Sequence, residues 1–587
     1  MSTDSSTNKK EKTFVAAIDF GTTYSGYAFS FKHEYEENPL AVKVNQAGWV
    51  AGSMALMSLQ APTVVLFDKK KKFHSFGYEA ENKYADLAED EEHHGWYFFK
   101  RFKMTLHGKK IPRDIEIKDA EGKSMRALDV FAAAIRYLKD HLLNLLKTRA
   151  TEVDSNHIHW VLTVPAIWSD SAKQFMRESA KAAGIADNLL SIALEPEAAS
   201  IFCQIPPSEK SMRASERTKF SLVNPETKYM VIDLGGGTAD ITVHEKQADG
   251  GLKEVHKATG GAWGGTQVDE EFYQLLIRII GAPVFQKFRE KHMAAFLDLQ
   301  RELETTKRAV KPESDDKVTV RIPVALKETY KDEMKENVDV ALSESRYNGK
   351  IKWGADKMRI DANTFRSIFK PCKDKLIAHI KDLLAKSDVK GTSIFLMVGG
   401  FSESEIMQYA IKNAFPDMTV VVPEDSGLTV VKGAVVFGHK PLQKSIKSRK
   451  SKYTYGINIS PPFDPAIHPE DHRVSVGGID RCRDVFKKYI QEGETVLVNE
   501  PRTGKHVTLK SHQKEMLLKI FATEKTNPRF VDEDDEIDYI GPLIVKLPDT
   551  NEKIRVEVRM MFGETELMVE AEEQLHHETF TAYFDFC

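Results

Sequence analysis

Ile18-Asp19-Phe20-Gly21-Thr22-Thr23 returns, with its aspartate 214 residues further along, as Ile232-Asp233-Leu234-Gly235-Gly236-Gly237-Thr238. Each copy follows an apolar run and precedes a second strand-like run, Ser25–Phe31 in the first case and Asp240–His244 in the second. The pattern predicts two hairpin turns rather than a loop leading into a helix. It therefore differs from a P-loop, which carries Gly-Lys-Ser/Thr before a helix, and from the dinucleotide fingerprint. Glycine permits positive φ and close approach of backbone to a ligand, and successive N–H groups can then form an anion nest. The threonine hydroxyls add donors to phosphate oxygens. An ionised aspartate beside a phosphate would repel it. A hydrated Mg²⁺, which favours carboxylates and phosphates, resolves that conflict. Asp19 and Asp233 are thus read as the magnesium-side carboxylates.

Further elements extend this phosphate site. Ile394–Val398 reads as a buried strand, Gly399-Gly400 as a bare turn, and Phe401 through about Phe415 as a helix, with Ser402 and Glu405 fitting a capping box. Two glycines there would let a flat group such as adenosine pack on backbone. Glu195 closes the apolar Ile192-Ala193-Leu194. At a strand end it could position an attacking or metal-bound water.

The bulk composition limits the alternatives. With 587 residues the chain is expected to hold two to four domains. It is 41% hydrophobic and 29% charged, with a net charge of −4, so nothing electrostatic points to nucleic acid or to an anionic membrane. Four scattered cysteines suggest a reducing compartment. No apolar run reaches the ~18 residues of a membrane span, and residues Met1 to Lys12 carry no apolar targeting core. The expectation is a cytoplasmic protein, with a nuclear share left open.

The expected fold class is α/β: a two-lobed nucleotide-binding domain followed by a mainly antiparallel β domain. Residues 1–12 are expected to form a disordered arm, 13–439 the α/β part, 440–452 a basic solvated linker and 453–587 the β part. Helices are expected at Leu128–Arg149, Ala172–Ala183 and Met293–Val310, a surface loop at Pro206–Lys228, and a small β subdomain at Lys311–Lys357 around Val318–Leu326.

These segments together resemble the nucleotide-binding domain of the 70-kDa heat-shock proteins, within the actin and sugar-kinase superfamily. The divergent heat-shock 70-kDa protein 12 subgroup is the nearest likeness. It is carried by Ala17–Ala28, Trp160–Trp168, Lys173–Arg177, Ala193–Ser200, Lys432-Gly433-Ala434 and Phe562–Glu566. The resemblance implies an actin-like fold that binds ATP or ADP with Mg²⁺. Gly21, Thr22 and Thr23 would form one phosphate loop and Gly235, Gly236, Gly237 and Thr238 the other. Gly264 and Gly265 would lie near the γ-phosphate. Glu304, Lys307, Arg308, Gly399, Gly400 and Ser402 would surround adenosine. Glu195 and Asp233 would serve catalysis, together with Lys100, for which Arg101 and Lys103 compete. Glu403 stands where relatives usually carry arginine. Two functions follow as expectations: a chaperone-like ATPase of the stress response that binds a polypeptide client, or a nucleotide-dependent scaffold or sensor with little hydrolysis. Nothing in the sequence names a client or an oligomeric state.

Overall fold

The computed structural model describes residues 13–45, 48–51, 56–108, 111–112, 114–149, 153, 155–205, 224–440, 446–498, 500–533, 536–562 and 567–583. The expected N-terminal arm, most of the Pro206–Lys228 loop, residues 441–445 and the Gly563–Glu566 stretch lie outside the described residues.

The sequence repeat becomes a repeat of sheets. Phe14–Phe20 and Tyr24–Phe31 form an antiparallel hairpin, and Ile158–Val164 then Leu190–Leu194 add in parallel on its first strand. Lys228–Leu234 and Ala239–Lys246 form the second hairpin, and Ile394–Val398 then Thr419–Val421 add in parallel in the same way. Both first strands are buried on both faces, as strands under crossover helices must be. Phe14, Ala16, Ile18 and Phe20 face the core of the first half. Met230, Ile232 and Leu234 face the core of the second. The alternate residues Val15, Ala17, Tyr229 and Val231 meet in a third core between the sheets, together with the helices Glu195–Cys203 and Thr429–His439. The helices expected from periodicity are present at Ala127–Thr148, Asp170–Ala182 and Met293–Ala309.

The small subdomain is mixed rather than β. Val318–Arg321, Lys357–Ile360 and Ile351–Trp353 form its sheet, but Val324–Met334 is a helix with Pro323 at its N-cap. Good helix formers follow that proline, and they outweigh the alternation read through Leu326.

The basic stretch is not a solvated linker over its described part. Ile446–Lys450 is a strand, parallel to Leu252–Gly261 and antiparallel to Thr495–Leu497, so it extends the sheet of the second half. Arg449 is buried, and its guanidinium grips Glu197 in two bonds, Nε to Oε1 at 2.8 Å and Nη2 to Oε2 at 2.6 Å. Lys450 N donates to Glu254 Oε2 at 2.9 Å. Lys452 Nζ donates to the carbonyls of Ile167 at 2.7 Å and Trp168 at 3.1 Å. A run of cations reads as solvated on composition alone; here buried acceptors far away in sequence receive it.

Beyond it, Val485–Ile490, Thr454–Ile459, Glu515–Thr523 and Asp538–Lys546 form one antiparallel sheet. Arg502–Val507, Arg555–Met561, Met568–Glu573 and Thr579–Tyr583 form another. Met516, Leu518 and Ile520 of the first and Val556, Val558 and Met560 of the second share one core. The short, largely exposed strands Arg473–Val476 and Ile479–Cys482 pair across the Gly477-Gly478 turn, whose two residues both have positive φ. Among the described residues no helix is long and apolar enough to cross a membrane.

Removing one partner of a buried ion pair leaves an uncompensated charge, at a cost of about 3–5 kcal/mol. Arg449→Ala should lower stability by that amount in urea unfolding, and Arg449→Met with Glu197→Gln should recover most of it. A loss below about 1 kcal/mol for Arg449→Ala would contradict a docked strand.

Candidate functional site

The two hairpin turns meet. A Cβ at Gly236 would lie 2.3 Å from Thr23 Oγ1, and one at Gly237 would lie 2.8 Å from Thr22 Oγ1 and 2.3 Å from Met104 Sδ. None of Gly21, Gly235, Gly236 and Gly237 has positive φ. Gly236 and Gly237 are therefore required for close approach of one turn to the other, and Gly21, where a Cβ would lie 2.0 Å from Tyr24 O, for the tightness of its own turn. The carbonyls of the second turn are taken from behind: Gly264 N donates to Gly237 O at 3.2 Å, Gly265 N to Gly235 O at 3.1 Å and Thr266 N to Gly236 O at 2.8 Å. These donors open the helix Gly265–Ile280. Among the described residues the amides of Gly236 and Gly237 have no protein acceptor, as an anion nest requires.

One cleft collects most of the predicted residues. Its walls include Asp19, Gly21, Thr22, Thr23, Glu195, Asp233, Gly235, Gly236, Gly237, Thr238, Gly265, Glu304, Lys307, Arg308, Gly399 and Gly400. Gly264, Ser402 and Lys100 do not line it. Gly264 acts from behind the turn. Ser402 is buried and its Oγ donates to Val398 O at 2.5 Å, so the helix begins instead at Glu405 with Ser404 at the N-cap. Sequence reasoning passed over Tyr24, Gln60, Ser404 and Gly427, which also line the cleft.

The three competing cations separate cleanly. Lys100 Nζ donates to Glu81 at 3.1 Å and Gln300 at 2.8 Å, outside the cleft. Arg101 Nη2 donates to Asp269 at 2.5 Å. Lys103 lines the cleft, buried, with its Nζ donating to Glu195 Oε1 at 2.8 Å and lying 5.2 Å from the centre of the Trp168 ring. The structure thus puts Lys103 in the position assigned to Lys100. Tyr97–Lys100 is a strand, Arg101 turns left-handed at φ 57°, and Phe102–Leu106 is a 3₁₀ turn, so consecutive side chains leave in three directions.

Acidic groups outnumber that lysine. Burial, then Glu195, pushes the Asp19 carboxyl up to about 6, although Lys103 and the Thr163 hydroxyl at 2.8 Å pull it back. Burial and Glu195 raise Asp233 well above the carboxylate range, with Asp240 and Asp19 adding to it. Asp240, directly across the hairpin from Asp233, is raised in the same way, with Lys103 and the Ile167 backbone N–H only partly offsetting it. The register of the hairpin would have found Asp240, since Asp233 pairs with it. A hard cation with water ligands matches this all-oxygen, over-acidic donor set, and Asp19 and Asp233 are the aspartates of that set that line the cleft and could hold it.

At the far end the charges are paired within the protein. Lys307 Nζ donates to Asp269 at 2.8 Å and pairs with Glu304 at 2.5 Å. Arg308 pairs with Glu304 at 2.8 Å, lies 3.7 Å from Glu403 and covers the Tyr24 ring at 5.5 Å. Burial raises Glu304, but Lys307 and Arg308 outweigh it and take it down to about 2. Gly399, at φ 83°, brings its backbone against Asp233, and a Cβ there would lie 2.3 Å from Asp233 Oδ1. At Gly400 nothing lies within 4 Å of where a Cβ would be, which leaves a bare backbone face on the cleft.

The chain is similar in sequence to known proteins. The family model described as "Hsp70 protein" matches residues 60–436, which include the second turn but not the first. Heat shock 70 kDa protein 12A of Homo sapiens is 34% identical over 97% of this chain and 91% of its own length. Heat shock 70 kDa protein 12B of the same organism is 33% identical over 97% and 91%. A chaperone protein HscA homolog of Neisseria meningitidis serogroup B is 27% identical over 47% of this chain and 36% of that protein.

The Asp19 carboxyl carries a sign that can be checked. Its native pKa of about 6 exceeds the ordinary 3.8, so its contribution is complete below pH 3.8 and is lost as pH rises through 6. Without metal or nucleotide, Asp19→Asn should therefore be more stable than wild type at pH 8, by about 1–3 kcal/mol. The difference should vanish toward pH 4. Urea midpoints in EDTA at both pH values measure it, and a less stable variant at pH 8 would sink the assignment.

Proposed function

The chain belongs to the Hsp70 family of ATP-binding proteins, and from that premise we propose that its cleft holds ATP or ADP with Mg²⁺ and hydrolyses the triphosphate slowly. The observation that carries this reading is the Lys103–Glu195 pair, which stands in one cleft with both glycine turns and the carboxylates of Asp19 and Asp233. The turn amides and the threonine hydroxyls hold the phosphates. Asp19 and Asp233 hold the magnesium waters, and Mg²⁺ when bound supplies charge neutralisation at the phosphates. Lys103 faces the transferred phosphoryl group as a fixed cation in a buried setting, where such charges act most strongly. Glu195 orients the attacking water, and the Asp233 carboxylate serves that step as well as the metal. Gly399, Gly400 and the Glu304–Arg308 pair take the nucleoside end.

The family's actin-like organisation fits the paired sheets, and the halves would act as lobes closing about the nucleotide. We read residues 453–587 as the polypeptide-binding part. Leu517 and Ile544 face each other across adjacent strands and each is about half exposed, as is Tyr539 at the other end of the same strand pair; exposed apolar side chains grouped on one sheet mark interaction surfaces. One relative carries the name chaperone. The second reading, a nucleotide-dependent scaffold or sensor with little turnover, draws support from Lys103 occupying the Glu195 carboxylate, the group that would handle water.

Binding and turnover are tested separately. Mg-ATP should raise the melting temperature of the whole protein, and Gly236→Val should abolish that rise, because its side chain would meet Thr23. An unchanged rise would remove the site. In single-turnover hydrolysis, Lys103→Ala should lose about 10²-fold or more, whereas Lys100→Ala should stay within about threefold of wild type. A wild-type rate no higher than that of Asp233→Asn would favour the scaffold.

A further inference from the structure

Far from the turns in sequence, three metal-ligating side chains converge. His93 and His94 lie between the helix Gly77–Glu89 and the strand Tyr97–Lys100. Glu121 lies at the tip of the hairpin formed by Glu116–Lys118 and Ser124–Arg126. One ligand atom from each lies within 4.8 Å of the other two. Glu121 Oε1 is 2.7 Å from His94 Nδ1 and 3.7 Å from His93 Nε2. Ligands held tetrahedrally at zinc distances stand about 3.3 Å apart, and the two separations fall on either side of that edge.

A plain hydrogen bond accounts for His94 and Glu121. It does not account for His93. That ring is 6% exposed, its Nδ1 faces the Leu87 backbone without closing a well-formed hydrogen bond, and its Nε2 stands beyond bonding distance of the carboxylate it faces. A buried imidazole left so is costly, unless another group takes the lone pair. The carboxylate is also pre-set. Asp119 Oδ1 accepts the backbone N–H groups of Glu121 at 3.0 Å and Lys123 at 2.8 Å, which fixes the hairpin tip. The Lys123 ammonium donates to Glu121 Oε2. Oε1 is thereby left to the histidines. The His94 side chain is 70% exposed, so a fourth, water ligand has room.

We propose that His93, His94 and Glu121 form a binding site for a divalent transition-metal ion of the zinc type. Two imidazoles and one carboxylate suit zinc and its neighbours and disfavour Mg²⁺ or Ca²⁺, which prefer all-oxygen sets. The ion would tie the segment after the helix Gly77–Glu89 to the Glu116–Arg126 hairpin. That helix reaches the second half through Glu81, which pairs with Arg301 at 3.2 Å, so the clamp would brace an element that spans the two halves.

The test is calorimetric titration of ZnCl₂ into the full chain, with Mg²⁺ and ADP in excess to keep zinc from the acidic cleft. One zinc per chain should bind with a Kd of about 1 µM or tighter. His94→Ala and Glu121→Gln, both outside the core, should each weaken binding roughly tenfold or more while leaving the circular dichroism spectrum unchanged. Co²⁺ should give the visible absorption of a four-coordinate site in wild type and lose it in both variants. Absence of zinc binding in wild type, or equal affinity in wild type and both folded variants, would overturn the site.

Discussion

The contact of a glycine turn with the threonines of its counterpart sets the rest of the structure. Gly236 and Gly237 press on Thr23 and Thr22 with no space for a Cβ, so the two hairpins share a single floor. Every functional group is then placed by how its segment reaches that floor. The helix Gly265–Ile280 reaches it by donating its first amides to the turn carbonyls. The Gly399-Gly400 bend reaches it because Gly399 accepts a left-handed backbone against Asp233. Lys103 reaches it because the chain turns sharply at Arg101.

The same contact concentrates charge. Asp233 and Asp240 are buried, Asp19 and Glu195 are half-buried beside them, and the Lys103 ammonium bonds to Glu195. Burying like charges is unfavourable, and the raised carboxyls register this. Such a site favours protonation until a cation offsets the carboxylates. Binding at the floor and the stability of the two halves are therefore linked through one set of groups. At the opposite wall, Glu304 is held ionised by Lys307 and Arg308, so the charges of that wall are paired within the protein.

The docked strand at Ile446–Lys450 joins this floor to the β-rich region. Arg449 grips Glu197, two residues beyond Glu195 on the helix that begins at the floor. A shift of that helix would be felt at the strand, and through Thr495–Leu497 by the antiparallel sheets. A physical path therefore exists between the cleft and the C-terminal surface.

The sequence by itself determined the hairpins, their aspartates, the parallel strands beside them and the alternation of helix and strand, because each is written in contiguous residues with a fixed period. The repeat at Asp19 and Asp233 also pointed to phosphate, since glycine beside threonine after a strand has a local meaning. Other decisions were tertiary. Lys100, Arg101 and Lys103 are three cations within four residues, and which one enters the cleft depends on a single left-handed residue and on acceptors at Glu81, Asp269 and Glu195. The basic stretch before Tyr453 became a strand because Glu197 and Glu254, about 200 residues or more away, were buried where its cations and amide could meet them. Ser402 left the cleft because its hydroxyl found Val398 O. Long side chains take their direction from partners distant in sequence, and no local pattern carries that information; backbone period and turn chemistry are local, which is why they could be read.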